Sequence, residues 1–484
     1  YMQTKLAFAV GADFSYEIFR RTLYQPYVVH VSRNSSEVIS GALAKVGVIV
    51  NGFFSPLLVL FSSSIILIAI LSALLMVAPW MSLSAMVGFG LIYGTIMRAT
   101  RRKLAAHSKQ LATGSTQVVK ILQEGIGGIR DVLINGSQGV YCDLYRRADI
   151  PLRNAQAARM FIGGAPRFAA EALGITFIAV LAYSLAAQPN GLGDAIAVLG
   201  VLALAAQRLL PVLQQGYMSI IQLRSSHHSL CDALVLLNQP IDEAAHGSRP
   251  KPLAFNAAIH LRDLSFRYTQ QAPLVLQNVN LSIPRGSRTG FIGTTGSGKS
   301  TLLDIIMGLL TPTDGAVLID DVELMSANVP AWQSRLAHVP QSIYLADASI
   351  AENIAFGVPA EQIDLDRVKV AARQAQIADH IQALPQQYST RVGERGVRLS
   401  GGQRQRIGIA RALYRQAEII IFDEATSALD VETERAVMEA INSLGSDLTI
   451  LIIAHRLSTL KGCDQVVEVQ DGRIRVLAFG EIEQ

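Results

Sequence analysis

Between Val46 and Met97 the chain has no Asp, Glu, Lys or Arg. A membrane-spanning helix needs about 20 consecutive apolar residues, so this charge-free run is long enough for two spans. Cysteine is scarce as well. Cys142, Cys231 and Cys463 stand far apart and odd in number, which supports neither a disulfide framework nor a cysteine metal cluster. Charged residues make up only 17% of the 484, and the net charge of +4 is small and dispersed, so nothing argues for nucleic acid as a partner. Half of the residues (50%) are hydrophobic, which is too apolar for an ordinary soluble enzyme. The opening stretch, "YMQTKLAFAVG", is neither a signal peptide nor a clean start, and it reads as the continuation of a chain whose first segment is missing.

The charge-free run is interrupted by "APWMS", Ala78 to Ser82. Proline breaks a helix and tryptophan favours a membrane interface, so a tight turn at one membrane face is expected there. A second pair of spans follows. Phe168 to Gln188 carries only Glu171, Ala195 to Leu223 carries only Arg208, and the turn "QPNGLGD" (Gln188 to Asp194) has no Lys or Arg. The connection between the pairs is basic, with Arg98, Arg101, Arg102, Lys103, Lys109 and Lys120 among its cations. Short segments rich in Lys and Arg stay in the cytoplasm, which places both charge-poor turns outside. The bland alternative is two buried hairpins in a large soluble protein, and the length of the uncharged runs opposes it. The basic connections have helical spacing, with turn-like tips at "VSRNSSE" (Val31 to Glu37) and "NGSQG" (Asn135 to Gly139).

At Asn238 to Leu253 the composition turns polar and proline-rich, as in a linker. Beyond it, strand-length apolar runs ("TGFIG", "AVLID", "EIIIF", "LTILIIA") alternate with helical stretches in an α/β grammar. The expected organisation is a helical membrane domain over 1–237, a linker over 238–258 and an α/β P-loop domain over 259–484.

"GTTGSGKST" runs through Gly293, Thr294, Thr295, Gly296, Ser297, Gly298, Lys299, Ser300 and Thr301. It fits G-x-x-x-x-G-K-[ST] between a strand and a helix. Glycines let backbone N–H groups wrap phosphates, Lys299 supplies a point charge, and the Ser300 hydroxyl suits Mg²⁺. "EIIIFDE" is a buried strand ending in Asp423 and Glu424. An acid at that edge reaches the metal beside the loop, and its neighbour suits polarising an attacking water. "LSGGQ", Leu399 to Gln403, has small residues at a helix start, an anion-binding arrangement, yet no lysine. Each of these signals has a bland reading when taken alone: a glycine-rich turn, a solvated strand end, a loop.

Together they resemble the ATPase domain of ABC transporters. The resemblance implies roles by position. Tyr268 would stack on adenine, Gly293 to Thr301 would bind the phosphates, and Gln341 in "HVPQS" would join Ser300 and Asp423 around Mg²⁺. Glu424 and His455 would serve catalysis with Gln341, and Asp430 would belong to the loop that follows the acidic strand. "VGERG" (Val392 to Gly396) is similar to the segment that touches the membrane domain in exporters. The order and spacing of the set distinguish these readings from a packed aromatic, a turn glutamine and a buried histidine. ATPase domains of this family pair head to tail, so Ser400, Gly401, Gly402 and Gln403 of one subunit would close over the phosphates held by the other. That explains the missing lysine: each loop is half of a site.

The helical half resembles the exporter type of ABC subunit, which has six spans. Four are counted here, with the residues up to about Arg20 as the end of another. "APRFAAEALG", "ALAAQRLLP" and "KSTLLDIIMGLL" are similar to bacterial lipid-linked oligosaccharide flippases. The implied function is ATP-driven export or flipping of a lipid-linked or amphipathic substrate across the bacterial cytoplasmic membrane by a multi-pass dimer, with the ATPase domain in the cytoplasm. Both half-sites are intact, so a homodimer is self-sufficient. Export of drugs or peptides stays open, and a soluble ABC ATPase is opposed by the charge-free run. Arg167 and Arg208 lie in or near spans, where a charge is costly. They would face an anionic lipid head group, since guanidinium binds phosphate bidentately. Alternatively Arg167 pairs with Glu171, or each arginine snorkels to an interface.

The half-site reading has a sharp test in mixed dimers. With Ser400→Arg in one subunit and Lys299→Ala in the other, both lesions fall in the same site, and hydrolysis should persist at the intact one. With both substitutions in one subunit, each site carries a lesion and hydrolysis should be lost. The opposite pattern would place each complete site within a single chain.

Overall fold

The computed structural model describes residues 1–32, 39, 46–77, 79–186, 191–240, 253–424, 430–442, 448–454, 460 and 462–477. The tip expected at Val31 to Glu37, most of the linker and His455 lie outside them, wholly or in large part. The chain divides into two compact units, one built chiefly from residues 1–241 and the other from 242–484.

The first unit is helical: α1 (Met2–Leu23), α2 (Ser55–Val77), α3 (Pro79–Gly127), α4 (Gln138–Ala186), α5 (Gly191–Ser225) and α6 (His227–Leu237). Pro79 stands at the first position of α3, where its missing N–H costs nothing, and α2 ends at Val77. Ala78, the first residue of the expected turn, lies outside the described residues. Among the described residues, the stretch Val46–Met76 is long and apolar enough to cross a membrane. Helices α3, α4 and α5 run through the other three expected spans. Helix α3 has 49 residues and continues through the basic connection without a break, about 70 Å at the helical rise. Its end at Gly127, and the short helix Ile129–Ile134 after it, lead to the second expected tip. There Gly136 takes a left-handed φ of +62° and α4 begins at Gln138. One feature has no clear signal in the sequence: a π-helical turn at Val50–Phe54, just before α2.

The second unit holds two sheets. Strands β1 (Ala258–Phe266), β2 (Leu276–Pro284), β4 (Asp314–Ile319) and β5 (Val322–Glu323) form an antiparallel sheet in the order β2-β1-β4-β5. Strands β3 (Arg288–Ile292), β6 (Leu336–Val339), β7 (Ile419–Asp423), β8 (Thr449–Ile453), β9 (Gln465–Gln470) and β10 (Arg473–Leu477) form the other, in the order β10-β9-β3-β8-β7-β6. In this second sheet every pairing is parallel except β9 with β10. All five residues of β8 and four of the five in β7 are buried, as expected for strands covered on both faces. Three of the four apolar runs read from the sequence enter this parallel sheet. "AVLID" enters the antiparallel one, because strand periodicity does not reveal a pairing partner.

Two hydrophobic cores flank the sheet. One contains Phe291 of β3, Ile419 and Ile421 of β7, and helix α7 (Lys299–Ile306). The other contains Ile420 and Phe422, the opposite face of β7, together with helices α8 (Ile350–Ile354), α9 (Leu365–Gln374) and α10 (Gly401–Arg415). Trp332 anchors the first core. It is 0% exposed, packs edge-on against Phe255 at 5.7 Å, and its Nε1 donates to Ile306 O at the end of α7 (2.8 Å). Trp332→Ala removes that volume and the donor together, at a cost of about 3–5 kcal/mol. The expected result is a drop of several degrees in the unfolding temperature of the second unit in the full chain; no drop would mean that Trp332 does not hold α7.

Candidate functional site

Strand β3 ends at Ile292, and the chain then folds as a loop made possible by its glycines. Gly293 has φ +142°, and a Cβ there would collide with Val469 O of neighbouring β9. Gly298 has φ +107° directly before α7, with Leu276 Cδ2 3.0 Å from any added Cβ. Lys299 follows and is only 6% exposed. Its Nζ donates to Gly293 O (2.8 Å) and Thr294 O (2.9 Å), so loop carbonyls hold the ammonium over the loop's own concavity. Ser297 Oγ is buried with no hydrogen-bond partner, while Thr294, Thr295, Gly296 and Ser300 are exposed. An unpaired buried hydroxyl beside a clamped lysine and the unsatisfied N–H groups that open α7 fit a polyphosphate. Tyr268 lies 45% exposed, edge-on to Phe266 at 5.0 Å, with its Oη 3.1 Å from Thr301 Oγ1. That hydrogen bond ties the aromatic ring to the phosphate-loop helix.

Strand β7 carries the acids to the same edge. Asp423 is its last residue, and Glu424 follows with φ +51°, unfavourable for a residue with a Cβ. The neighbouring strand stabilises this conformation, since Glu424 N–H donates to Ile453 O (3.2 Å). Gln341 lies just beyond β6, and its Nε2 donates to Glu424 Oε2 (2.6 Å). Burial pushes the Asp423 carboxyl above its ordinary range, the Glu424 charge adds to the rise, and Lys299 opposes it. Asp304, on α7, was not singled out from the sequence. Burial and then the Asp423 charge push it up to about 6. Its signal was hidden because a single acid in an otherwise apolar helix looks like a solvated residue. The Ser300 hydroxyl, the Asp423 carboxylate and the Gln341 amide oxygen are hard-oxygen donors of the kind that would suit Mg²⁺.

Ser400 to Gln403 sit elsewhere in the unit. Ser400 is the N-cap of α10: its Oγ accepts from Gln403 N–H (3.2 Å) and Gln403 Oε1 accepts from Ser400 N–H (2.8 Å). This capping box leaves the N–H groups of Gly401 and Gly402 at a helix start, where the dipole favours an anion. Helix α10 buries Ile407, Ile409, Ala410 and Leu413 in the core opposite the one that carries α7. Among the described residues, no hydrogen bond or ion pair joins Ser400–Gln403 to Gly293–Thr301. The loop after Gln341 packs on α10, where Ile343 lies against Gly408. It is held at Ala346 by Asn353, 0% exposed, through bonds to both N–H (2.9 Å) and C=O (3.0 Å). Asn353 too escaped notice in the sequence, although the adjacent Ser349–Glu352 capping box is legible as S-x-x-E.

Asp430 caps helix Val431–Asn442, accepting from Thr433 N–H (2.9 Å) and Thr433 Oγ1 (2.8 Å), bonds that hold its carboxyl below the ordinary range. His455 and the loop 425–429 lie outside the described residues. In the helical unit, Arg167 Nε donates to Glu171 Oε1 (2.6 Å) one turn along α4, and its side chain remains 61% exposed. Arg208 is also exposed, and no described contact joins the two arginines.

Comparison with known proteins agrees with this geometry. Residues 276–427 match the family model described as ABC transporter. The ATP-dependent lipid A-core flippase of Paraburkholderia xenovorans is 31% identical over 96% of this chain and 77% of its own length. The Escherichia coli alpha-hemolysin translocation ATP-binding protein HlyB is 43% identical over 49% of this chain and 33% of its own. A solved structure of a bacterial Atm1-family ABC exporter with ATP bound superimposes with a TM-score of 0.86 at 24% identity, over 99% of this chain and 84% of that one, a likeness of fold. With the 31% identical flippase aligned over nearly the whole chain, the phosphate loop, the acidic strand end and the capped start of α10 have one common explanation: the chain belongs to the ABC transporter family.

Proposed function

We propose that this chain is one subunit of a homodimeric ATP-driven flippase that moves a lipid-linked or amphipathic anion across the bacterial cytoplasmic membrane. The observation that carries the reading is the Gln341–Glu424 hydrogen bond at the end of β7, on a chain that also holds the apolar helical stretch Val46–Met76. In this reading Glu424 accepts a proton from water, and the bond from Gln341 keeps its carboxylate oriented until nucleotide enters. Lys299 neutralises phosphate charge, and Ser300, Asp423 and Gln341 would hold Mg²⁺. Bound Mg²⁺ supplies charge neutralisation on the phosphate oxygens. Ser400, Gly401 and Gly402 complete the other subunit's site through N–H groups, and Tyr268 supports the adenine. Asp430 and His455 are assigned to the same site by their place in the family pattern.

The lipid class rests on the membrane half. The relative aligned over 96% of this chain is a lipid A-core flippase, whereas HlyB aligns over 49%. Export of drugs or peptides is the second reading, favoured by relatives such as HlyB. In the lipid reading, Arg208 meets the anionic head group, and Arg167 does so by exchanging Glu171 for phosphate.

Glu424→Gln should keep nucleotide binding while lowering hydrolysis by about 10²–10⁴-fold, measured as phosphate release in reconstituted vesicles. A smaller effect would move the catalytic base elsewhere. In the same vesicles a fluorescent pyrophosphate-linked polyprenyl lipid should change leaflet only with ATP, and Arg208→Ala should abolish its stimulation of ATPase. Hydrolysis without lipid movement, but with peptide or drug uptake, would favour the second reading. Unchanged stimulation in Arg208→Ala would remove that residue from the substrate path.

A further inference from the structure

A cavity of about 370 Å³ lies in the second unit, away from the ATP residues. It opens where α9, the C-terminal end of α10 and the start of β7 come together. Helix α10 has 15 residues and spans about 22 Å, with Ser400 at its other end. Asp423 likewise lies at the far end of β7. Its lining combines apolar residues, among them Val370, Ala371, Leu413 and Ile420, with two arginines, Arg285 and Arg367.

Neither arginine side chain has a carboxylate partner among the described residues. The acid in the wall, Glu418, is ion-paired with Arg335. The Asp364 carboxylate is engaged by the Asp366 and Arg367 backbone N–H groups. Arg367 is nonetheless held in place, its guanidinium 4.6 Å above the Tyr414 ring. Its Nε is buried without a hydrogen-bond acceptor. A stacked guanidinium is already oriented, which lowers the entropy cost of binding an anion. Cavities of about 300–1,000 Å³ with apolar walls and a few convergent polar groups are the usual size and make of small-molecule sites.

From this convergence we infer that the cavity is a second ligand site, separate from the ATP site. It takes a small amphiphilic anion: a phosphate or carboxylate head on Arg285 and Arg367, and an apolar body against Val370, Ala371, Leu413 and Ile420. The head neutralises the two guanidinium charges, and the body is desolvated by the apolar wall.

Arginine footprinting of the full-length protein tests this, with phenyl phosphate as the probe and a non-hydrolysable ATP analogue saturating the nucleotide site throughout. Phenylglyoxal modification is read by mass spectrometry at Arg285, Arg367 and the exposed control Arg473. Phenyl phosphate at about ten times its dissociation constant should slow modification of Arg285 and Arg367 about tenfold, leaving Arg473 unchanged. Inorganic phosphate and benzyl alcohol, each carrying half of the chemistry, should protect far less. Arg285→Gln, a change in an exposed turn, should weaken protection at Arg367, which also covers the case where Arg367→Gln fails to fold. Equal slowing at Arg473, or none at the cavity arginines, overturns the site. Equal protection by inorganic phosphate overturns its amphiphilic character, and undiminished protection of Arg367 in Arg285→Gln overturns the shared head group.

Discussion

Strands β3, β8 and β7 lie side by side, parallel and buried on both faces, and the chemistry of the second unit depends on that constraint. Parallel strands all deliver their C-terminal ends to one edge. The phosphate loop leaves β3 there, and Asp423 and Glu424 end β7 there. The open edge of such a sheet is where a ligand can approach backbone N–H groups without displacing packed side chains. The apolar content of β7 and β8 is therefore more than core filling. It forces two acids and a glycine-rich loop to emerge together, and Glu424 is held in a strained conformation by its bond to the next strand.

The same sheet separates the phosphate loop from the capped start of α10. Its opposite faces feed different cores, one gripping α7 behind the phosphate loop and the other gripping α10 behind Ser400. A loop with the lysine and a capped helix without it are thus mounted on opposite sides of one scaffold. Gln341 reaches Glu424 from the strand next to β7, and the loop that follows rests on α10 through Ile343 and on Asn353. Glu424 is thus linked to helix α10 by a short route through Gln341 and the loop that carries Ile343.

Much of this was legible beforehand because it is local. A charge-free run, a proline at the first turn of α3, the glycine spacing of Gly293 to Gly298 and the apolar strand ending in Asp423 and Glu424 are written in consecutive residues. Asp304 and Asn353 were not legible. Asp304 matters because folding brings it beside Asp423, and Asn353 because it spans the loop at Ala346; both relations join residues distant in sequence. Arg167 shows the reverse case. Its partner was one helical turn away, and the structure forms that pair among the alternatives weighed.

The amino-acid order alone determined the helical and α/β halves, the membrane-length apolar segments, and the residue types available to phosphate, metal and water, since each follows from periodicity, hydropathy or short-range spacing. Tertiary structure decided what those residues meet. It paired Gln341 with Glu424, raised Asp423 and Asp304 by burial, and set Arg285 and Arg367 around one cavity. Contact between residues far apart in sequence is created by packing, and burial changes a charge's energy in ways no local pattern records.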